Sequence, residues 1–271
     1  MTHAVLQAVE RFLLPNVCVA CEGPIERPRP DGLVCGVCRT RLGSLVGGCD
    51  RCAQPIPPVG PCRFCADWPE VLTWVRSAVW LSDQAREIVH HLKYEGYRAL
   101  ADEMTEIIVQ RTSRPPRGIL VPIPLGHRRL ASRGYNQAAE IARALAARWA
   151  LPLSETLLRR TRETKTQTAL APEERERNVR GAFVAASPPP SQRAIGGDER
   201  RWRAMAAPRA PSTPPSPEGK GWRGEIILID DVLTTGATLA AAARSLEQSG
   251  WKQIGAVTFA RALSYGSRAG S

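Results

Sequence analysis

Apolar positions along the chain follow two rhythms. Short runs rich in β-branched residues stand at Ile226–Ile229 (IILI), in GILVPIPL at 118–125, and over 253–259. Runs of that length between turn signals predict strands buried on both faces of a parallel sheet. Between them the spacing is helical: Ala85, Ile88, Val89 and Leu92 recur in DQAREIVHHLKYEG, Tyr97 to Arg111 reads as a second amphipathic helix, and Asn136 to about Trp149 as a third. A further helix over Ala240 to Gln248 should stop at Gly250. The charged stretch 157–183 predicts a strand, a mobile loop, a short helix and another strand. Strands alternating with helices give an α/β fold, a parallel sheet with flanking helices.

Two segments break this rhythm. Residues 187–221 contain eight Pro and four Gly among 35, a composition that predicts disorder and a loop inserted between core strands. Such an insertion costs little closure entropy. The opening MTHAVLQAVERFLLPNVC mixes charges into its apolar run and predicts a short amphipathic helix, not a signal peptide. With no run of about 18 apolar residues, no membrane span is expected, and the protein reads as cytoplasmic.

Cysteine changes the picture more than any other residue type. All eight lie between Cys18 and Cys65, as the four CxxC pairs Cys18/Cys21, Cys35/Cys38, Cys49/Cys52 and Cys62/Cys65. A two-residue spacing lets one turn present both sulfurs to a single ion, which points to two structural zinc sites of four thiolates each. Sequential sharing gives a double zinc ribbon, with Cys18, Cys21, Cys35 and Cys38 on one ion and Cys49, Cys52, Cys62 and Cys65 on the other; a cross-braced pairing is the alternative. Residues 1–66 then form the N-terminal helix and ribbons, and 67–264 the α/β domain. Only four His stand in the chain, which argues against a His-based metal or triad site.

Glu225 to Leu239, EIILIDDVLTTGATL, carries the chemistry. A buried strand delivers Asp230 and Asp231 into a loop of Thr234, Thr235, Gly236, Ala237 and Thr238 that opens a helix. Consecutive N–H groups and hydroxyls at a helix N-terminus suit a phosphate. A carboxylate pair at a strand's C-terminal end can hold vicinal ribose hydroxyls directly and Mg²⁺ through water. The prolines at 122 and 124 end a second strand and lead into GHRRLASRGYNQ, a loop with His127, Arg128, Arg129 and Arg133. Guanidinium groups there suit an anion with many oxygens. Lys93 and Tyr94 are placed to face the ligand from the end of their helix, with a solvated helix end as the plainer reading.

DDVLTTGAT resembles the 5-phosphoribosyl-1-pyrophosphate (PRPP) loop of type I phosphoribosyltransferases. The four CxxC pairs, HHLKYEG, VPIPLGHRRLASRGYNQ, TQTALAPEERERNVRGAF and IILIDDVLTTGATL follow one another in an order similar to that of the competence-associated ComF family. The resemblance implies that Asp230 and Asp231 hold ribose, Thr234 to Thr238 the 5-phosphate, and Arg128, Arg133, Lys93 and Arg175 the pyrophosphate. The loop at 157–183 would then be a lid over the site, and the long insertion departs from the family's compact pattern. It also implies a role in DNA uptake beside a competence helicase. The net charge, 37 − 26 = +11, favours polyanionic partners. Three functions compete: a phosphoribosyltransferase with an unknown acceptor, a PRPP-sensing regulator without turnover, and a single-stranded DNA binder stacking bases on Trp74 or Trp80.

Overall fold

The computed structural model describes residues 17–25, 32–45, 48–55, 60–163, 172–187 and 225–262. The expected N-terminal helix, the centre of the lid at 164–171 and nearly all of the Pro-rich insertion lie outside these residues. Four parallel strands form the sheet in the order β1, β6, β5, β2, where β1 is Leu72–Trp80, β2 Ile119–Pro122, β5 Ile226–Leu233 and β6 Ile254–Arg261. A small antiparallel pair, β3 (Leu158–Arg160) and β4 (Phe183–Ala185), stands apart from it. The helices are α1 (Gly36–Arg41), α2 (Asp83–Tyr94), α3 (Leu100–Arg111), α4 (His127–Arg133), α5 (Gln137–Trp149), α6 (Pro172–Val179) and α7 (Ala237–Gln248).

Alternation along β5 builds both halves of the core. Ile227 and Ile229 face a layer containing Ile88, Leu92, Met104, Ile108, Ile141 and Leu145 of α2, α3 and α5. Ile226 and Leu228 face the opposite layer, where Leu239, Ala243 and Leu246 of α7 pack. Each large aliphatic side chain so enclosed contributes roughly 1.5–3 kcal/mol. Ser82 caps α2 and Asn136 caps α5, each accepting a backbone N–H from the first turn.

Several boundaries differ from the sequence reading. The strand expected over 226–229 runs on to Leu233, because its continuation pairs in register with β6 through Leu233 and Arg261. Gly236, at φ +78, turns the chain so that α7 starts at Ala237 rather than 240. The arginine-rich loop is largely helical, as α4, and ends on left-handed Gly134. The helix expected from Tyr97 begins at Leu100. Strand β1 is an addition to the expected elements: Arg76, Ser77 and Ala78 interrupt its alternation, although Thr73, Trp74, Val75 and Val79 are good strand formers.

The cysteine-bearing region closes the exposed edge of β1. Trp80 donates its N–H to Gly43 at 3.0 Å, Val75 donates to Arg51 at 2.7 Å, and Ser44 bridges Val79. Cys18, Cys38 and Leu42 enter one core layer, while Cys52, Cys65 and Trp68 enter the other. Arg39 ion-pairs with Glu103 and with Glu106 on α3, and Arg111 donates to the Leu42 and Arg39 carbonyls. The ribbons are therefore built into the sheet's edge on both faces. No described helix is long and apolar enough to cross a membrane.

Candidate phosphate-binding site and cysteine clusters

The eight cysteines form two groups of four, Cys18/Cys21/Cys35/Cys38 and Cys49/Cys52/Cys62/Cys65, with all sulfurs in a group within 4.8 Å of one another. Sequential sharing is thus the arrangement, and cross-bracing is not. Sγ–Sγ separations of 3.9 Å (Cys21–Cys35), 3.7 Å (Cys49–Cys65) and 3.6 Å (Cys52–Cys62) exceed a disulfide's length of about 2.05 Å. They match the edge of about 3.8 Å of a tetrahedron whose zinc–sulfur bonds are about 2.3 Å. The donor set fits zinc, and four thiolates would leave it no open position.

The interior strand β5 carries the acidic pair. Asp231 is 5% exposed and meets the Lys93 ammonium from the last turn of α2 at 2.6 Å, Oδ2 to Nζ. The strand continues through both acids, and Asp231 is held by Lys93 rather than standing free at the strand's end. Asp230 is half-buried and its Oδ1 accepts the Asp231 backbone N–H at 2.9 Å. Burial, and next the Asp231 carboxylate, push the Asp230 carboxyl up to about 8, while Lys93 pulls the other way. Near neutral pH the Asp230 carboxyl is therefore largely protonated.

Asp230, Thr234, Gly236, Ala237 and Thr238 line one shallow concavity at the N-terminus of α7. The Thr235 hydroxyl accepts the Ala237 N–H at 3.4 Å. The first-turn N–H groups of a helix have no intrahelical acceptors, so an anion in this concavity meets aligned donors. Gly236 is required twice: its φ is +78, and a Cβ there would come within 2.2 Å of the Trp68 indole.

Among the expected pyrophosphate residues, Arg133 lies with its guanidinium 5.2 Å above the Tyr94 ring, next to Lys93 in the chain. Its Nη1 is buried without a hydrogen-bond partner. Arg128 is exposed on α4, and its backbone N–H donates to Glu163 at 2.9 Å. Arg175 falls on α6. Lys93 is brought to Asp231 rather than left for an anion. Trp74 and Trp80, considered as base-stacking residues, are half-buried: Trp74 Nε1 donates to Glu225 at 2.6 Å and the ring covers Gly255, while Trp80 covers Gly43.

Sequence reading missed three participants. Arg160 on β3 is largely enclosed, lies over the Phe183 ring at 5.3 Å, and has Arg129, Glu163 and Asp230 as its electrostatic neighbours. Burial is the largest influence on its guanidinium and lowers its pKa. Within LLRRTRE nothing separates Arg160 from the arginines beside it. The Glu163 carboxylate, held low first by the Arg128 N–H and also by Arg129 and Arg160, sits against Gly126 at the start of α4. Trp68 lies three residues past Cys65, a spacing that carries no signal of its partner.

A family described as phosphoribosyl transferase domain matches residues 130–268, just over half of the chain. β1, α2, α3 and β2, which complete the sheet and supply Lys93, precede that stretch. The chain is 26% identical to the DNA utilization protein YhgH of Salmonella typhi over 248 residues, 88% of this chain and 93% of that protein. It is also 26% identical to the competence protein ComFC of Bacillus subtilis over 253 residues, 86% and 90% of the two. Against competence protein F of Haemophilus influenzae it is 30% identical over 144 residues, 53% of this chain and 50% of that protein. With its parallel sheet, acidic pair and Thr/Gly loop in one frame, and ComF-type relatives along most of its length, the chain belongs to the phosphoribosyl transferase domain family.

Proposed function

We propose that this protein binds Mg-PRPP at the β5–α7 loop and acts in DNA uptake or utilization, as the names of its relatives indicate for them. The observation that carries the reading is the junction itself: Asp230, Thr234, Gly236, Ala237 and Thr238 line one concavity at the N-terminus of α7, and Asp231, next to Asp230, is paired with Lys93. In this reading Asp230 and Asp231 hold the ribose hydroxyls, and Thr234 to Thr238 hold the 5-phosphate. Arg128, Arg133 and Arg175, joined by Arg160, neutralise pyrophosphate as it leaves the anomeric carbon. Magnesium would neutralise part of the pyrophosphate charge, and the two cysteine clusters would hold structural zinc.

Calorimetric titration with PRPP and Mg²⁺ tests the binding, and pyrophosphate release with a panel of bases, amines and oligonucleotides tests turnover. Absence of binding would overturn the proposal; binding without release by any acceptor would make the protein a PRPP sensor. Arg160→Ala is expected to weaken inorganic pyrophosphate about tenfold or more, since a charge-assisted hydrogen bond contributes roughly 1.5–3 kcal/mol. Unchanged pyrophosphate affinity would remove Arg160 from the site.

A second reading, binding of single-stranded DNA, is favoured by a surface at the end of α2. Tyr94 and Tyr97 are 60% and 42% exposed, with the His90 ring 5.0 Å from Tyr94 and the Arg133 guanidinium above it. Arg98 lies 4.5 Å over the Tyr135 ring close by. Exposed rings beside guanidinium groups form the stacking platform that Trp74 and Trp80 do not provide. Tyr94→Ala with Tyr97→Ala should weaken an oligothymidine probe at least about tenfold, because stacking contributes roughly 1–3 kcal/mol per base. Affinity should also fall linearly with the logarithm of salt. A flat salt response, or equal binding by the double variant, would remove this surface from consideration.

A further inference from the structure

The loop that faces the candidate phosphate is seated on Trp68, three residues past the last cysteine of the second group. Trp68, 7% exposed, places its six-membered ring against the bare Cα of Gly236, where any Cβ would lie 2.2 Å from Cζ2 and 2.6 Å from Cε2.

Trp68 is itself held by the second cluster and its surroundings. Its backbone N–H donates to the Cys65 carbonyl at 3.3 Å, and the Phe64 ring meets its ring edge-on at 5.6 Å. Arg51, beside Cys52 in the chain, spends its guanidinium on four carbonyls of this turn: Cys65 at 3.0 Å, Trp68 at 3.2 Å, Pro69 at 2.6 Å and Leu72 at 2.9 Å. From the other side, Arg244 on α7 donates to the Asp67 carbonyl at 2.8 Å.

A second strut runs in parallel. Arg261, fully buried at the end of β6, donates to the Cys52 carbonyl and to Gln54 Oε1 at 2.9 Å, with its guanidinium 4.3 Å over the Phe64 ring. Its strand partner is Leu233, the last residue of β5 before the loop. Both ends of the loop's base therefore lead back to the Cys49/Cys52/Cys62/Cys65 group.

We infer that Trp68 is a positioning residue for the phosphate loop, through which the second cysteine cluster fixes the loop in its anion-binding shape. This rests on the reading of Thr234 to Thr238 as the phosphate grip and adds what holds that grip. A loop already in its bound conformation has less freedom to lose on binding, so removing the seat lowers affinity without removing any ligand contact. The ring touches backbone rather than ligand, so its effect is on the loop's order.

Trp68→Ala, Trp68→Phe and Arg51→Ala, each compared with the parent, test this. In the ligand-free proteins, amide exchange of residues 234–239 should quicken about tenfold in Trp68→Ala, with β2 unchanged, as local opening of a single loop requires. PRPP affinity should fall about tenfold, and Trp68→Phe should recover most of it by keeping an aromatic ring on Gly236. Arg51→Ala should act in the same direction although it touches no loop residue. These milder changes decide the matter even where Trp68→Ala is too unstable to purify. Lower melting temperature with unaltered loop exchange and affinity would make Trp68 an ordinary core residue and overturn the inference. If the parent binds no PRPP, the proposed ligand is wrong, and the exchange measurement still decides whether Trp68 orders the loop.

Discussion

Replacing both acids, Asp230→Asn with Asp231→Asn, is expected to abolish Mg-dependent PRPP binding in a protein that remains folded. Each lost charge-assisted anchor removes roughly 1.5–3 kcal/mol, so the pair gives at least about a hundredfold weaker binding. The fold should survive because the Asp230 carboxyl is already largely protonated near neutral pH, so an amide resembles its resting form, and because Lys93, which loses its partner in Asp231, is 23% exposed and within reach of water. Asp231→Asn alone strands the Lys93 ammonium and should destabilise more than Asp230→Asn. Calorimetry with PRPP and Mg²⁺ on parent and variant decides it, equal affinity showing that the acids are only a strand and a turn. The single Asp230→Asn variant has its own signature in pH. Folding raises this carboxyl from 3.8 to about 8, so the folded state binds the proton more tightly. That stabilisation is complete below the unfolded value and disappears as pH rises through about 8. An amide cannot ionise, so the variant's melting temperature should gain on the parent's as pH rises from 3.8 to about 8, the window that shift sets. A constant difference across that window would show that Asp230 is not shifted.

Metal removal is the second large effect. Purified protein is expected to carry two zinc ions per chain, and chelation under reducing conditions should unfold the sheet's edge along with the ribbons. Structural zinc contributes roughly 10–16 kcal/mol to the folding of a small module. A whole domain's net stability is only about 5–15 kcal/mol. Since Cys18 and Cys38 belong to one core layer and Cys52 and Cys65 to the other, losing the ions disturbs packing on both faces of β1. Metal analysis with circular dichroism before and after chelation measures this. Less than one zinc per chain, or an intact spectrum after the ions leave, would show that the clusters do not carry the fold.

Much of the α/β architecture was legible because its signals are local. Ala85, Ile88, Val89 and Leu92 lie on one helix face whatever surrounds them, and all four are buried in α2. The run IILI, rich in β-branched residues, suits a strand covered on both sides, and it sits between two apolar layers. The turn from β5 into α7 was legible for the same reason: Gly236 and its threonines act through backbone geometry within a few residues. Boundaries were less so. β5 extends past its apolar run because β6 pairs with it, and pairing between strands distant in sequence leaves no trace in either one.

By itself, the sequence determined the alternation of strands and helices, the confinement of eight cysteines to four CxxC pairs, and the acidic pair opening into a Thr/Gly loop. Only the tertiary structure decided that the cysteines gather sequentially into two groups of four, that Lys93 pairs with Asp231, that Arg160 on β3 has Asp230 as an electrostatic neighbour, and that the Trp68 ring lies against Gly236. The division has one physical cause. Periodicity and turn chemistry depend on neighbours along the chain, whereas an ion pair, a buried guanidinium or a ring against a bare Cα depends on how separate layers pack, and that is fixed only when the whole core closes.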